Sequence, residues 1–588
     1  MSERSPVTAL RVANEAFLVS SMIERCPKTM MLRELVVNAI EAAMRGEGER
    51  LVEITARIID GTPKLCIRNT GPGLSAMELH RICDLASSLH KENSLDGNFG
   101  MGAKVASLPS NRHMLRYRSC KAGRVSEVVL CERSGVYGRL CLGTDAAGNP
   151  LEVLNVTDIC QAEGDYDLSR DWTEVVLGGN HARQNTVVDP YDGSPRYEAG
   201  WLAETLALRF FRLPAGLTLH LRPEVAGGST PRRFETFFAH WEQFKQTESV
   251  RTASGITIHY CYDPTAGEAH PGQGDVSATT EGLGCIVYKG EIYDVRARER
   301  WVLEGPSFGF SFGAKHCKVF VELPDDYVVR PEAYRQFLRF RGGDQQQVFL
   351  AHFSALVRTH LPEWLLCIIR SYGPDQAKFA NEVQDELRDL LAELGVEASF
   401  IPRPSTAPGR SVEGSGKATT TEPKTAESQR PERPPSPPRR IYERPPEIIG
   451  LDQDEMIAER GLTGRVAQYF PQSHQIFINF QYSAVLALAE QLEAEFGPQA
   501  EAEEVRASAT EAARWAVTRR IARALVYSFA KKAAGWKAED VQRSQSPESL
   551  CLIVDDWSAF LPAARIRLEE MLPVRAGTED GAPGALAA

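Results

Sequence analysis

Glu34 and Asn38 stand four residues apart in a run whose apolar members are Met31, Leu32, Leu35, Val36, Ala39, Ile40 and Ala43. That period predicts an amphipathic helix, with both polar side chains on one face. A carboxylate so placed can accept a proton from an attacking water. A carboxamide offers a hard neutral oxygen to Mg²⁺, which takes few protein ligands and completes its shell with phosphates and waters. Two glycine segments follow. In Asn69-Thr-Gly71-Pro-Gly73 the glycines let the backbone turn tightly and let a flat ring approach. Gly97-Asn-Phe-Gly100-Met-Gly102-Ala-Lys104 runs into an apolar stretch, Ala103 to Leu108, that reads as a helix start. A glycine-rich loop opening a helix aims backbone N–H groups at an anion, and Lys104 adds a point charge toward phosphate. The pattern is neither a P-loop nor, lacking a preceding strand, a dinucleotide fingerprint.

The elements that must position these groups are legible in outline. Residues 51–59 and 64–68 alternate about Asp60-Gly61, a hairpin signal, and the second strand leads into Asn69. Ser87 to Asp96 is polar with few strand or helix cues and reads as a mobile lid over a nucleotide.

Taken together, the three segments resemble the N-box and the two glycine boxes of the GHKL ATPase superfamily: gyrase B, the ninety-kilodalton heat-shock chaperone, histidine kinases and MutL. Gly97-x-Phe-Gly100-x-Gly102-x-Lys104 followed by Val-Ala-Ser is most similar to the chaperone and MORC branches. The resemblance implies an α/β sandwich, the Bergerat fold, that binds ATP and Mg²⁺. It implies Glu34 as the catalytic base, Asn38 as the metal ligand and Glu41 as the acidic residue of the N-box. It implies that Gly71 and Gly73 shape the adenine pocket, and that Gly97, Gly100, Gly102 and Lys104 hold phosphates. Trp172-Thr173-Glu-Val-Val resembles the family's Gly-Thr-x-Val strand, with Trp in place of Gly, and gives Thr173 to the adenine region. Asn69 stands where the family has an Asp that accepts from adenine's amine. An amide that can turn presents donor or acceptor, which would soften the preference for adenine. With Glu34, absent in most histidine kinases, the chain resembles the hydrolysing, switching branch.

Residues 1–195 are thus expected to form the ATP-binding domain. Residues 196–400 mix a helix from Trp201 to Pro214, strands at 217–221, 256–262, 283–287 and 317–323, and helices at 331–340 and 345–361. After such a module this resembles the α+β transducer domain of hydrolysing relatives, which sends a lysine to the γ-phosphate. Lys289-Gly290 and Ser311 to Lys315 are the candidate loops, and Lys315 is preferred. Residues 401–447 carry 11 of the 35 prolines, too little apolar surface to offset ordering, and read as a disordered linker. Residues 448–575 read as a mainly helical domain, with a strand at Ile476 to Phe480 and a long helix from Glu501 to Ala534. Arg514, Arg519, Arg520, Arg523, Lys531 and Lys532 lie along it as a nucleic-acid face or, more ordinarily, a solvated one. Residues 576–588 read as a flexible tail.

A net charge of −11 gives no global attraction to nucleic acid. The 12 cysteines form no C-x-x-C pair, so zinc is not expected and a reducing cytoplasm is the simplest home. No signal peptide or long apolar run predicts a membrane role. Three function classes stand open. One is an ATP-driven switch or clamp that closes as a nucleotide-dependent homodimer on a DNA, RNA or protein client. The others are a histidine-kinase-like phosphotransferase and a regulatory nucleotide-binding module without turnover.

Overall fold

A computed structural model describes residues 12–84, 102–396 and 443–572, apart from 142, 146, 165, 198–199, 267–280, 343–345, 376–378 and 498–501. The expected lid, Gly97, Gly100, nearly all of the proline-rich linker and the terminal tail lie outside the described residues. The chain is mixed α/β and becomes mainly helical toward its C-terminus. It divides into two compact units. One holds residues up to Ala297 together with Lys315–Phe353; the other holds Arg298–Ala314 together with the residues from Ser354 on. The expected division at 195 falls inside the first unit.

In the first unit, helix α1 (Glu15–Glu24) is capped by the Asn14 side chain, which accepts from the Phe17 N–H. Helix α2 (Met31–Arg45) buries Met31, Leu32, Leu35, Val36, Ala39, Ile40 and Ala43, the face that the periodicity marks. It lies against β1 (Leu51–Ile59) and β2 (Thr62–Asn69). Those strands pair antiparallel from Ile59↔Thr62 to Val52↔Asn69. Asp60 and Gly61 both take positive φ, 49° and 75°, the two-residue turn whose twist matches its strands. Helix α3 (Ala76–Ile82) follows β2, and helix α4 (Gly102–Ser107) precedes the strands β3 (Met114–Lys121), β4 (Arg124–Arg133) and β5 (Val136–Arg139).

Nine strands make the main sheet. Its order is Arg232–Arg233, Thr218–Leu221, β1, β2, Trp172–Gly179, β3, β4, β5, with Val153–Asn155 also on β4. The strand Trp172–Gly179 arrives late in sequence yet sits between β2 and β3, antiparallel to both, opposing Thr173 to Asn69 and to Ser119. A five-stranded sheet in the same unit runs Gln246–Arg251, Thr257–Tyr262, Cys317–Leu323, Leu283–Tyr288, Glu291–Ala297. One apolar core holds Leu32, Val36, Ile54 and Leu65 with Phe211, Leu219, Val287 and Phe320.

Four expected strands of the middle region form, at Thr218–Leu221, Thr257–Tyr262, Leu283–Tyr288 and Cys317–Leu323. Three expected helices differ. The first ends at Ala207 rather than near Pro214. Residues 331–340 form no helix: Val329–Pro331 pairs antiparallel with Leu338–Phe340. There the Glu332 carboxylate accepts from the Tyr334 N–H and Arg335 takes φ 56°, a local turn that outcompetes the helical ladder. Of the expected helix at 345–361, the described residues form a 3₁₀ turn, Leu350–Phe353, and a six-residue helix, Ser354–Thr359.

The second unit pairs Glu447–Leu451 parallel and Ala467–Phe470 antiparallel to Gln475–Asn479. Its helices include Ala380–Glu393, Ser483–Phe496, Ala502–Ala533 and Leu561–Met571. The basic stripe of the long helix is partly consumed. Arg519 and Arg523 both bind Glu386, and Arg514 binds Asp452, while Arg520, Lys531 and Lys532 stay exposed. No described helix is long and apolar enough to cross a membrane.

Candidate active site

Helix α2 carries Glu34, Asn38 and Glu41, and Gly71 and Gly102, one from each glycine segment, come to it. Glu34 is buried, at 7% exposure. Asn38, one turn on, is exposed and Glu41 is half-buried. The face therefore grades from a desolvated carboxylate to an accessible amide oxygen. Gly102 opens α4 directly against Glu34. A β-carbon built there would overlap Glu34 Oε2 and stand 2.7 Å from its Cδ, so only glycine leaves the carboxylate where it is. On the other side a β-carbon at Gly71 would stand 2.8 Å from the Ala42 carbonyl oxygen of α2.

The first glycine segment is pinned by side chains. Asn69 Nδ2 donates to the Thr173 carbonyl (3.2 Å), and its Oδ1 accepts from the Gly71 N–H (3.0 Å). Because one partner is an acceptor and the other a donor, the amide has one orientation. Free turning, which relaxed base choice would need, is therefore opposed at both ends. Ser119 Oγ accepts from the Leu74 N–H (2.8 Å), donates to the Trp172 carbonyl (3.0 Å) and lies 2.7 Å from Thr173 Oγ1. Gly73 takes φ 59°, and a β-carbon on it would overlap the Cys120 carbonyl oxygen. The loop thus lies tight on β3. Trp172, at the position where the resemblance expects glycine, is buried and stacks on Tyr166 at 5.1 Å between centroids.

The loop feeds α3 through a capping box: Ser75 Oγ accepts from the Glu78 N–H and Glu78 returns to the Ser75 N–H. Lys121 donates to Glu78 at 2.7 Å. That bond, with the Ser75 bonds, holds the Glu78 carboxyl down at about 2. At the other end of α3, Lys104 Nζ donates to the Ile82 carbonyl and to the Asp84 carbonyl (2.6 Å). A cation at a helix C-terminus meets its unsatisfied carbonyls. Lys104 is 7% exposed, and burial lowers its ammonium to about 8.

Arg33 and Glu291 join Glu34 in the structure, although residue spacing marks neither of them. The Arg33 guanidinium donates to Glu34 Oε1 and takes Glu291 as a two-point partner. Arg33 was hidden by its place beside Glu34 in a helix, where adjacent residues point about 100° apart. Glu291 is 258 residues away in sequence and leaves no local signal. Lys315 is exposed, in the turn Ala314–His316, its carbonyl accepting from the Gly282 N–H. Lys289 takes φ 52° beside Gly290, whose carbonyl accepts from the Phe211 and Arg212 N–H groups. Among the described residues, the cation bonded to Glu34 is Arg33.

These residues fit a magnesium nucleotide on two observations. Lys104 is a desolvated cation bonded to neutral carbonyls, a group that an anion would stabilise. Asn38 and Glu34 present hard oxygen donors one turn apart, the chemistry Mg²⁺ prefers. Asn38 would hold the ion, which when bound polarises phosphoryl oxygens. Arg33 holds one oxygen of the Glu34 carboxylate and Gly102 lies beside the other. Comparisons with protein-family models and with curated proteins returned no match.

Proposed function

We propose that the chain is a magnesium-dependent ATPase of the GHKL type, its first unit built on the Bergerat plan. The observation that carries this reading is that α2 meets both glycine segments, Gly102 at the Glu34 carboxylate and Gly71 at the Ala42 carbonyl. An exposed Asn38 stands between those two points on the helix. Three weak motifs, separate in sequence, thereby share one helix. In this reading Glu34 is the general base, Asn38 the metal ligand, and Lys104 with Gly102 serve the phosphates. Asn69, Gly71, Gly73 and Thr173 frame the base. Nucleotide closure of two chains into a homodimer would make the protein a switch or clamp on a nucleic-acid or protein client.

The test is turnover. Glu34→Ala is expected to lower hydrolysis by about 10²–10⁴-fold, the usual worth of a positioned base, while ATP still binds by calorimetry. Hydrolysis unchanged in the variant would remove the base assignment.

A further inference from the structure

Arg33 divides its guanidinium between two carboxylates. Nε donates to Glu291 Oε2 at 2.8 Å and NH2 to Glu291 Oε1, leaving NH1 for Glu34 Oε1. Glu291 is also 3.1 Å from Arg209 NH2. The side chains of Arg33, Glu34, Glu291 and Arg209 are 3%, 9%, 15% and 14% exposed. Two cations and two carboxylates therefore meet in a largely dry cluster, and Arg335 also acts on Glu291. Burial alone would raise the Glu291 carboxyl; Arg33 and Arg209 outweigh it and hold the group below its ordinary range.

The geometry is directional. A guanidinium is a rigid planar fork, and a two-point pair fixes its plane. Glu291 opens the strand Glu291–Ala297 of the five-stranded sheet, so that strand sets where the plane of Arg33 lies. The remaining donor then sets where Glu34 Oε1 lies, while Gly102 bounds Oε2.

We propose that Arg33 is a positioning residue for Glu34, and that Glu291, through Arg33, ties the orientation of that carboxylate to the five-stranded sheet. This rests on reading Glu34 as the base. Without Glu291 the fork is free to turn and take Glu34 as its own two-point partner, which engages both oxygens of the base. A shift of the strand that carries Glu291 would act on Glu34 by the same route.

Two measurements on the full chain test it. The first is a double-mutant cycle of Glu34→Gln and Glu291→Gln by chemical denaturation, repeated in Arg33→Met. The two effects on the midpoint are expected to be non-additive with Arg33 present and additive without it. The second is steady-state hydrolysis. Glu291→Gln is expected to lower kcat by about ten- to hundredfold, the scale of a misplaced reacting group, with KM within about twofold. Glu291→Asp, which keeps the charge and is the milder change if Glu291→Gln folds poorly, should recover part of it. A cluster that only stabilises the fold would shift the midpoint and leave kcat per folded molecule alone. Additive effects with Arg33 present, or an unchanged kcat, overturn the proposal while wild-type turnover stands. A wild-type chain with no hydrolysis overturns the base reading itself, and this role with it.

Discussion

Gly102 and Glu34 share one space: the atom that any other residue would add at 102 falls on the Glu34 carboxylate. The obstacle is the far end of a side chain, not backbone. Gly102→Ala should therefore be mild for folding and severe for chemistry. We expect a thermal midpoint near that of the wild type, nucleotide binding retained and kcat lowered by about 10²-fold, since the base is displaced by about an ångström. Hydrolysis at the wild-type rate in this variant would show that the carboxylate has room to move without loss.

Asn69 gives a stability prediction. Its Nδ2 meets an acceptor, the Thr173 carbonyl. Asn69→Asp would turn a carboxylate oxygen toward that carbonyl and lose the donor. The expected cost is about 1–3 kcal/mol, that of a buried polar group left unpaired, read by chemical denaturation. The same variant should not sharpen the preference for ATP over GTP, because the wild-type amide is already held in one orientation. A stabilised variant would show that the Thr173 bond is unimportant.

Lys104 links nucleotide to protons. Its folded value of about 8 lies below the ordinary 10.5. Between those values the unfolded chain holds this proton more tightly than the folded one. The contribution of Lys104 to stability therefore rises with pH from about 8 to 10.5, and its full penalty applies below 8. A bound polyphosphate raises the group again, so binding near pH 8.5 should take up a proton. Calorimetry in two buffers of different ionisation enthalpy measures this directly. We expect uptake in the wild type and none in Lys104→Met; equal uptake in both would place the titrating group elsewhere.

Asn38 is exposed, so Asn38→Ala should leave stability within about 0.5 kcal/mol. It should weaken binding of Mg-ATP on the order of tenfold and leave metal-free ATP binding unchanged. Equal loss with and without the metal would assign Asn38 to the nucleotide instead of the ion.

What was legible in the sequence was local. The apolar period marked α2, and Asp60-Gly61 marked the hairpin, because a helical face and a two-residue turn are set by neighbours a few residues away. The same period placed Glu34 and Asn38 one turn apart. Where two local signals competed, as at residues 331–340, the apolar spacing suited a helix and a turn bond between Glu332 and Tyr334 prevailed. Tertiary structure decided everything that depended on long-range approach. It inserted the strand of Thr173 between β2 and β3, and so gave Asn69 an acceptor 104 residues away. It turned Lys104 onto the end of α3. It brought Glu291 to Arg33, and through it to Glu34, by packing a second sheet whose order no local pattern encodes. Side-chain type and spacing determined which groups could do chemistry; strand order and burial decided which partners each of them met.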